Sequence, residues 1–312
     1  MKKIRNFLSV VTIIILLTFL VFNEQILDYI NTNYIHFKSN NIYLEYNEYA
    51  KKESYEYVKT TKNFMARNYQ DLLNIFYSVL DSGTNEFTFY CDNKYKNCLT
   101  DINKIVPTDV NQEDIISELN NFISPFNTYK NITIITNDRG KVTIKFEKLY
   151  TAEMIKEVND YLDNYISENI TDDMDDYQKI LLFHDYIIDN TLYDSERADD
   201  VNNPIYDDSP SHTAYGITHN QTALCGGYSD IMALYLDKLG IKNIRIAADL
   251  HVWNLVYIDG KWQHLDVTWD DPVTNTGDQL LIHEYFLIDK DKLLELDNVE
   301  HQFNEDIYVE AK

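Results

Sequence analysis

The segment from His251 to Thr268 constrains the fold more than any other part of the sequence. An Asp-Gly dipeptide at 259–260 separates two runs of alternating apolar residues, which is the strongest short-range signal for a β-hairpin. A two-residue loop sets the register, so that Trp253 lies opposite Asp266. His251 and Asp266 are then diagonal neighbours on one face, about 7–8 Å apart at their backbones and within side-chain reach. The sequence therefore predicts an imidazole next to a carboxylate.

Cys225 lies at the start of a helix that the periodicity predicts over 226–239. A helix start presents unpaired N–H groups and a partial positive charge, which favour the thiolate form of a cysteine. Gly226 and Gly227 remove side chains beside the sulfur, so a substrate backbone could approach it. A small cysteine at this position could also serve only for packing.

The remaining cysteines, Cys91 and Cys98, are separated by a polar, turn-rich stretch and could close a small loop as a disulfide, which leaves Cys225 unpaired. Taken singly, a strand histidine is usually structural, and an aspartate at a strand end usually caps it. A cysteine nucleophile, however, needs an oriented base, and an imidazole backed by a carboxylate is such a base. We therefore predict a catalytic triad of Cys225, His251 and Asp266.

Four further residues are weaker candidates for a substrate cleft: Trp253, Gln221, His264 and Trp269. Gln221 precedes the cysteine and could offer an amide to an oxyanion. His264 shares the predicted active face of the hairpin. The two tryptophans could wall an acyl tunnel or be ordinary core aromatics. His184, on an apolar helix face, is expected to be a core histidine.

Acidic pairs at 172–173 and 175–176 resemble a calcium-binding cluster, but a capped, solvated helix start explains them more simply. The pair Asp270-Asp271 before a proline is typical of a turn. The cysteine spacing does not suit a structural zinc site. The sequence therefore predicts no metal and no cofactor.

The N-terminus has the organisation of an exported protein. Residues 1–6 carry three cations and precede an uncharged, apolar run over 7–22. This combination is typical of a signal anchor or a signal peptide. The small residues of a cleavage site do not follow the run, so an uncleaved anchor is favoured over a cleaved signal. The positive-inside rule then places 1–6 in the cytoplasm and the rest of the chain outside the cell membrane.

The remainder of the chain divides into three parts: a polar stalk over 23–40, a small α+β region of unknown role over 41–148 and a catalytic domain over 151–312. Periodicity predicts the following elements: helices over 71–80, 151–167, 176–190 and 226–239, a strand over 86–90, a hairpin over 132–146, and strands over 244–248, 251–258 and 261–268. The predicted fold class is α+β.

The charge balance excludes some classes of partner. Lys and Arg total 27 and Asp and Glu total 51, which gives a formal net charge of −24. Nucleic-acid affinity comes mainly from cationic side chains that displace counterions, so we expect no nucleic-acid partner. The same charge disfavours peripheral binding to anionic lipid. The predicted membrane contact is therefore the apolar run over 7–22.

Several of these motifs carry a family resemblance. A cysteine at a helix start in CGGY, a helix ending in LGI, and HVWNLVYIDGKWQHLDVTW together resemble the transglutaminase-like superfamily. The segments FHDYIIDNTLYD and TAYGITHNQTALCGGY resemble its bacterial secreted or membrane-anchored branch. The resemblance covers about 175–272 and implies a papain-like core, in which a helix carrying the cysteine packs on an antiparallel sheet. It also implies that Cys225 is the nucleophile, His251 the base and Asp266 the residue that orients it. Gly226 departs from the acidic or polar residue that many relatives have.

The expected function is that of a membrane-anchored, extracellular cysteine acyltransferase. The enzyme would form a thioester from a glutamine or peptide carbonyl and pass the acyl group to an amine or to water. Its substrate would be a protein or peptide at the cell surface. One alternative is a cysteine peptidase or amidase that acts on cell-surface proteins or peptidoglycan peptides. Another is a non-catalytic surface module that binds a partner through 41–148.

Overall fold

The computed structural model describes residues 2–39, 41–107, 114–137, 140–198, 209–248, 250–272 and 280–312. The architecture is mixed α+β with open sheets, which confirms the α+β part of the predicted fold class. Within the described ranges, no helix combines the length and the apolarity that a membrane crossing requires.

The first half of the chain forms a sheet with helices packed around it. Its strands are β1 (Met65–Ala66), β2 (Glu86–Cys91), β3 (Tyr129–Thr136) and β4 (Lys141–Lys148), in the order β1-β2-β4-β3. Its helices are α1 (Lys2–Ser39), α2 (Tyr69–Ser82), α3 (Cys98–Ile105) and α4 (Ile115–Leu119). The helix predicted over 71–80, the strand over 86–90 and the hairpin over 132–146 all lie within these elements.

The second half contains longer helices and a smaller sheet. The helices are α5 (Ala152–Asn169), α6 (Asp176–Asn190), α7 (Ser195–Ala198), α8 (Ala214–Asn220), α9 (Cys225–Leu239) and α10 (Lys290–Leu296). The strands are β5 (Leu192–Tyr193), β6 (Thr222–Ala223), β7 (Asn243–Ala247), β8 (Val252–Ile258) and β9 (Lys261–Leu265). Strands β7, β8 and β9 form an antiparallel sheet in that order, while β5 pairs with β6 in parallel.

Local capping explains why α6 begins at the predicted residue. Asp175 accepts a hydrogen bond from the backbone N–H of Gln178, and the Gln178 side chain accepts one from the backbone N–H of Asp175. This reciprocal capping box satisfies two N–H groups that would otherwise lack partners. The acidic residues before α6 therefore include its N-cap, as the sequence predicts.

The hairpin formed by β8 and β9 has the predicted register, with Ile258 opposite Lys261 and Asn254 opposite Leu265. Both turn residues have positive φ, 52° at position 259 and 79° at position 260, as a two-residue turn of type I′ requires. The strands are shorter than predicted, because β9 ends at Leu265 and β8 begins at Val252. His251 and Asp266 therefore lie just beyond the ladder rather than within it.

The sheet β7-β8-β9 is buried on both faces. Side chains alternate along β8, so Trp253 and Leu255 join a hydrophobic cluster with the first half of the chain. Val256 and Ile258 point the other way and pack with α9 in a second cluster. The helix that carries Cys225 is thus held against an antiparallel sheet, and that sheet is covered on its other side by residues of 41–148.

The predicted stalk over 23–40 forms the second part of α1, which continues to Ser39; residue 40 lies outside the described residues. Ile35 and Ser39 are buried, and Ile35 packs with Met65 and Tyr90. The end of α1 therefore contacts the sheet of the first half instead of standing apart as a polar stalk.

The two cysteines of the first half form a disulfide between the end of β2 and the start of α3. Cys91 and Cys98 are joined with a Cα–Cα distance of 6.1 Å. Cys225 is the free cysteine of the chain.

Candidate active site

The structure brings Cys225, His251 and Asp266 together where the start of α9 meets the open end of the hairpin. Cys225 is the first residue of α9 and is partly exposed. His251 donates from Nε2 to Asp266 Oδ2 over 2.5 Å, and the side chain of Cys225 lies close enough to the same imidazole to affect its pKa. Because Nε2 is engaged by Asp266, Nδ1 is the ring nitrogen available to the thiol. The order is therefore thiol, imidazole, carboxylate.

The electrostatics of this pair favour a charged histidine. Burial lowers the pKa of His251, but the charge and hydrogen bond of Asp266, together with the contact to Cys225, outweigh it and raise that pKa to about 10. Burial likewise raises the pKa of Asp266, but the charges and hydrogen bonds of His251 and His301 hold it well below its ordinary value. An imidazolium beside a thiol favours the thiolate, which is the nucleophilic form.

Asp266 is fixed by its own backbone surroundings. Its Oδ1 accepts hydrogen bonds from the backbone N–H groups of Thr268 and Trp269, over 3.0 and 3.1 Å. These bonds start a turn, which is the physical reason why β9 ends before Asp266 and not at Thr268. Its Oδ2 is then left to face His251.

His301 is a buried member of the site that sequence reasoning missed. It donates from Nε2 to Asp266 Oδ2 over 2.9 Å, so this oxygen accepts from two imidazoles. Its Nδ1 lies 3.0 Å from Asp297 Oδ2. The residue follows Asp266 by 35 positions, in a polar stretch without regular periodicity. Its proximity arises from tertiary packing, and the sequence carries no local signal for it.

Aromatic rings lie around the imidazole of His251. Trp253 stacks on His251 with ring centroids 5.5 Å apart, and Trp269 meets it edge-on at 6.2 Å. Trp253 is buried, whereas Trp269 is partly exposed. His264 accepts a hydrogen bond from Trp253 Nε1 over 3.0 Å, and burial lowers the pKa of His264 to about 4. His264 is thus a neutral acceptor that fixes the Trp253 ring rather than a direct partner of His251.

Gly226 and Gly227 have a different role from the one predicted. A Cβ on Gly226 would lie 2.7 Å from the carbonyl oxygen of His212, and a Cβ on Gly227 would lie 2.8 Å from that of Ser211. The space beside both glycines is therefore filled by the chain's own backbone. These glycines let the segment 211–213 pack against the start of α9, and they do not open a path for substrate.

Gln221 is not brought into the triad. It is exposed at the end of α8 in the left-handed conformation, with φ 57°. Across the described parts of the chain, its side-chain amide has no hydrogen bond to Cys225, His251 or Asp266. The predicted oxyanion role for this amide therefore has no support from the geometry.

The turn predicted at Asp270-Asp271 exists, but its carboxylates are buried and structural. Asp270 accepts hydrogen bonds from His184 Nε2 over 3.1 Å and from the backbone N–H of Tyr285 over 2.9 Å. Asp271 accepts one from the Tyr228 hydroxyl over 2.5 Å, and burial raises the pKa of Asp271 to about 6. The turn that follows Asp266 is thereby tied to α6, to α9 and to the segment around residue 285. His184 is fully buried, as predicted, but it is engaged with carboxylates.

Among the residues that the structure describes, two groups of side chains each bring three potential metal-ligand atoms within 4.8 Å of one another. The first consists of His251, Asp266 and His301, whose ligand atoms are engaged in the hydrogen bonds described above. The second consists of His184, Asp185 and His283 and is linked to the turn at 270–271 through the contact of His184 with Asp270. The sequence singled out neither group as a metal site.

Neither the comparison with protein-family models nor the comparison with curated proteins finds a match. Among solved structures, a crystal structure of a TGase is similar to this chain with 18% sequence identity and a TM-score of 0.32. The alignment covers 45% of this chain and 44% of that chain. A likeness of this extent carries no argument about activity, so the function has to be inferred from the site itself.

Proposed function

We propose that this protein is a cysteine acyltransferase of the transglutaminase-like type, with a papain-like core. The observation that carries the proposal is the joint geometry of three side chains: Cys225 at a helix start, His251 in contact with its thiol, and Asp266 bonded to the far nitrogen of that imidazole. The packing of α9 on the antiparallel sheet β7-β8-β9 supports the proposed core.

The reaction begins with attack of the Cys225 thiolate on the carbonyl carbon of a glutamine side chain or a peptide bond. A C–S bond forms, and the carbonyl electron pair moves to oxygen. When the tetrahedral species collapses, the C–N bond breaks and His251 gives its Nδ1 proton to the departing amine. The products of this half-reaction are a thioester on Cys225 and free ammonia or an amine.

In the second half-reaction, a primary amine or water attacks the thioester, and His251 accepts the proton that the nucleophile loses. The C–S bond breaks, and the thiolate returns. Asp266 keeps the imidazole in one orientation throughout and stabilises its charged form. Trp253 and Trp269 pack against this ring, and in our proposal the partly exposed Trp269 contacts the incoming acyl group.

Activation of the Cys225 thiol by His251 is tested by the pH dependence of iodoacetamide alkylation at Cys225, which is measured by mass spectrometry. We expect Cys225 to be alkylated faster at neutral pH than a free thiol, because a neighbouring imidazolium favours the reactive thiolate. The variant His251→Ala should react like a free thiol, while His219→Ala, which removes an exposed histidine, should match the wild type. A thiol indifferent to His251 would contradict the triad and favour the non-catalytic binding module.

The fate of the acyl group is tested with glutamine-containing peptides and a fluorescent primary amine. A transferase incorporates the amine in preference to water, and Cys225→Ala abolishes the incorporation. Release of ammonia or cleaved peptide without incorporation would instead identify a cysteine peptidase or amidase, because the thioester is common to all of these reactions. A protein or peptide at the cell surface is the substrate class that we propose.

We also propose that the apolar run over 7–22 acts as a signal anchor or signal peptide, so that the remainder of the chain lies outside the cell membrane. Six apolar side chains of the run over 7–22 are more than half exposed: Val10, Ile13, Ile14, Ile15, Leu16 and Leu17. Contiguous apolar exposure of this kind is costly in water and favourable in lipid. The full chain should fractionate with membranes, whereas the fragment 41–312 should not. A mature chain beginning beyond residue 22 would instead indicate a cleaved signal.

A further inference from the structure

A second cluster of histidine and carboxylate groups lies next to Asp270, in the turn that follows Asp266. His184 and Asp185 are consecutive residues of α6. His283 lies in the segment just before Ile288, which pairs with His264 of β9. Asp185 Oδ1 lies 2.9 Å from His184 Nδ1 and 2.7 Å from His283 Nε2. Three ligand atoms from two separate segments thus converge within 4.8 Å.

The orientation of His184 is set from behind by a buried carboxylate. Its Nε2 lies 3.1 Å from Asp270 Oδ2, and both side chains are fully buried. With Nε2 engaged by Asp270, Nδ1 is the ring nitrogen of His184 that lies beside Asp185. A carboxylate behind a ligating imidazole is the arrangement that fixes tautomer and ring orientation at metal sites.

We propose that His184, Asp185 and His283 bind a divalent transition-metal ion such as Zn²⁺, with Asp270 orienting His184. Two imidazoles and one carboxylate form the donor set that zinc and its neighbours prefer over calcium or magnesium. Three protein ligands leave a coordination position for water. Asp185 and His283 are about two-fifths exposed at their side chains (36% and 42%), which gives the ion a path from solvent to the buried His184.

The proposed ion would join α6 to the segment that carries His283. That segment is already bonded to the turn, because the Tyr285 N–H donates to Asp270 Oδ1. A bound metal would therefore stiffen the support of the turn that begins at Asp266, without entering the triad. The proposed metal site does not include the Cys225 thiol, so metal binding can be tested independently of the proposed acyl transfer.

The exposed pair His219 and Glu157 provides a matched comparison. His219 Nδ1 lies 3.2 Å from Glu157 Oε1, but no third ligand and no carboxylate behind the ring accompany them among the described contacts of that imidazole. An exposed histidine contacts a carboxylate both here and in the pair formed by His283 and Asp185. Convergence of three ligands with a buried orienting group distinguishes the cluster at His184.

The test uses the full chain carrying Cys225→Ala, which removes the competing thiolate, after treatment with a chelator. Zn²⁺ binding is measured by isothermal titration calorimetry, and Co²⁺ binding by its visible absorption. We expect one ion per chain, a higher Tm with metal, and binding about tenfold or more weaker in His283→Ala and in Asp185→Asn. His219→Ala should bind as the parent does.

Absence of binding in the Cys225→Ala chain would overturn the proposal, as would unchanged binding in His283→Ala. Binding that is lost in His301→Gln and kept in His283→Ala would also overturn it, because the ion would then sit at His251, Asp266 and His301. His283 and Asp185 are partly exposed, so both variants should fold. Equal Tm values of the metal-free variants and the parent would establish this.

Discussion

At the residue scale, Asp266 is the residue on which the candidate site depends most. One of its oxygens caps the turn that follows β9, and the other accepts from both His251 and His301. A single carboxylate therefore ends the strand, orients the proposed base and holds a second imidazole. This triple use explains why Asp266 is almost fully buried, since each contact offsets part of the cost of burying its charge.

His301 is predicted to be a positioning residue that acts through Asp266. His301→Phe removes a donor to a buried carboxylate and should lower the free energy of unfolding by about 1.5–3 kcal/mol. It should also slow alkylation of Cys225 at neutral pH, because the imidazole of His251 loses its fixed partner. His301→Gln keeps an N–H that can reach Asp266 and should restore much of the rate. A purely structural role predicts equal losses of stability without any change in the alkylation profile.

The raised pKa of His251 predicts a specific dependence of stability on pH. Below the unfolded-state value of about 6.5, histidine is protonated in both states and its attraction to Asp266 is fully present. As the pH rises from about 6.5 towards the folded-state pKa of about 10, the unfolded chain loses the proton first and this stabilisation is lost. The depressed pKa of Asp266 lies far below this window and does not contribute there.

Urea denaturation of Cys225→Ala, with and without His251→Gln, measures this dependence. The difference in unfolding free energy between the two chains should shrink with rising pH by up to about 1.4 kcal/mol per pH unit. Using the alanine variant removes the titration of the thiol from the comparison. A difference that stays constant between about pH 6.5 and about pH 10 would show that the histidine is not held charged.

At the scale of the elements, the start of α9 is positioned by backbone packing. The carbonyl oxygens of Ser211 and Thr213 would lie 2.8 and 2.9 Å from a Cβ at Gly227, which is too close for any side chain. The segment 211–213 is in turn bound to the helix start by the Leu224 N–H, which donates to the Ser211 carbonyl over 2.8 Å. The location of Cys225 is therefore set by a contact between two segments.

Gly227→Ala is predicted to disturb the site through this contact. Overpacking should lower the free energy of unfolding by about 1–3 kcal/mol, and the shifted helix start should slow alkylation of Cys225. Gly240→Ala, at the other end of the same helix, is the control. Gly240 has φ 71° with open space around it, so its variant should cost about 1 kcal/mol through backbone strain and leave alkylation unchanged. Equal alkylation rates in both variants would contradict this account.

At the scale of the whole molecule, the two halves of the chain share one hydrophobic cluster. Phe76, Phe89 and Val142 of the first half pack with residues of β7 and β8, and Tyr308 near the C-terminus stacks on Phe122 at 5.6 Å. Arg245 on β7 bonds to Asp230 on α9 and to the carbonyl oxygen of Asn120. The region over 41–148 therefore supports the sheet that carries His251.

The fragment 151–312 is consequently predicted not to fold on its own. Without the first half, one face of the sheet would expose Ile244, Ile246, Trp253 and Leu255, which are buried in the intact chain. We expect the fragment to lack a cooperative unfolding transition, while 41–312 unfolds cooperatively with the alkylation profile of the full chain. A cooperative transition in 151–312 would show that this part of the chain is an independent domain.

The sequence by itself determined those features that depend on residues only a few positions apart. The Asp-Gly turn dictates the register of β8 and β9, and this register brings His251 and Asp266 to the same end of the hairpin. The capping box at Asp175 starts α6, and the short spacing of Cys91 and Cys98 permits their disulfide. Turn conformation, capping and pairing across a tight loop are local effects, so they can be deduced from the order of residues.

The tertiary structure alone decided the features that join distant segments. His301 reaches Asp266 because the C-terminal segment packs over the hairpin. The backbone of 211–213 occupies the space beside the glycines at 226–227. His283 meets His184 across the buried turn at Asp270. Such contacts depend on how whole elements pack, because burial and close packing act between any segments that the fold places together. No pattern within a few residues encodes them.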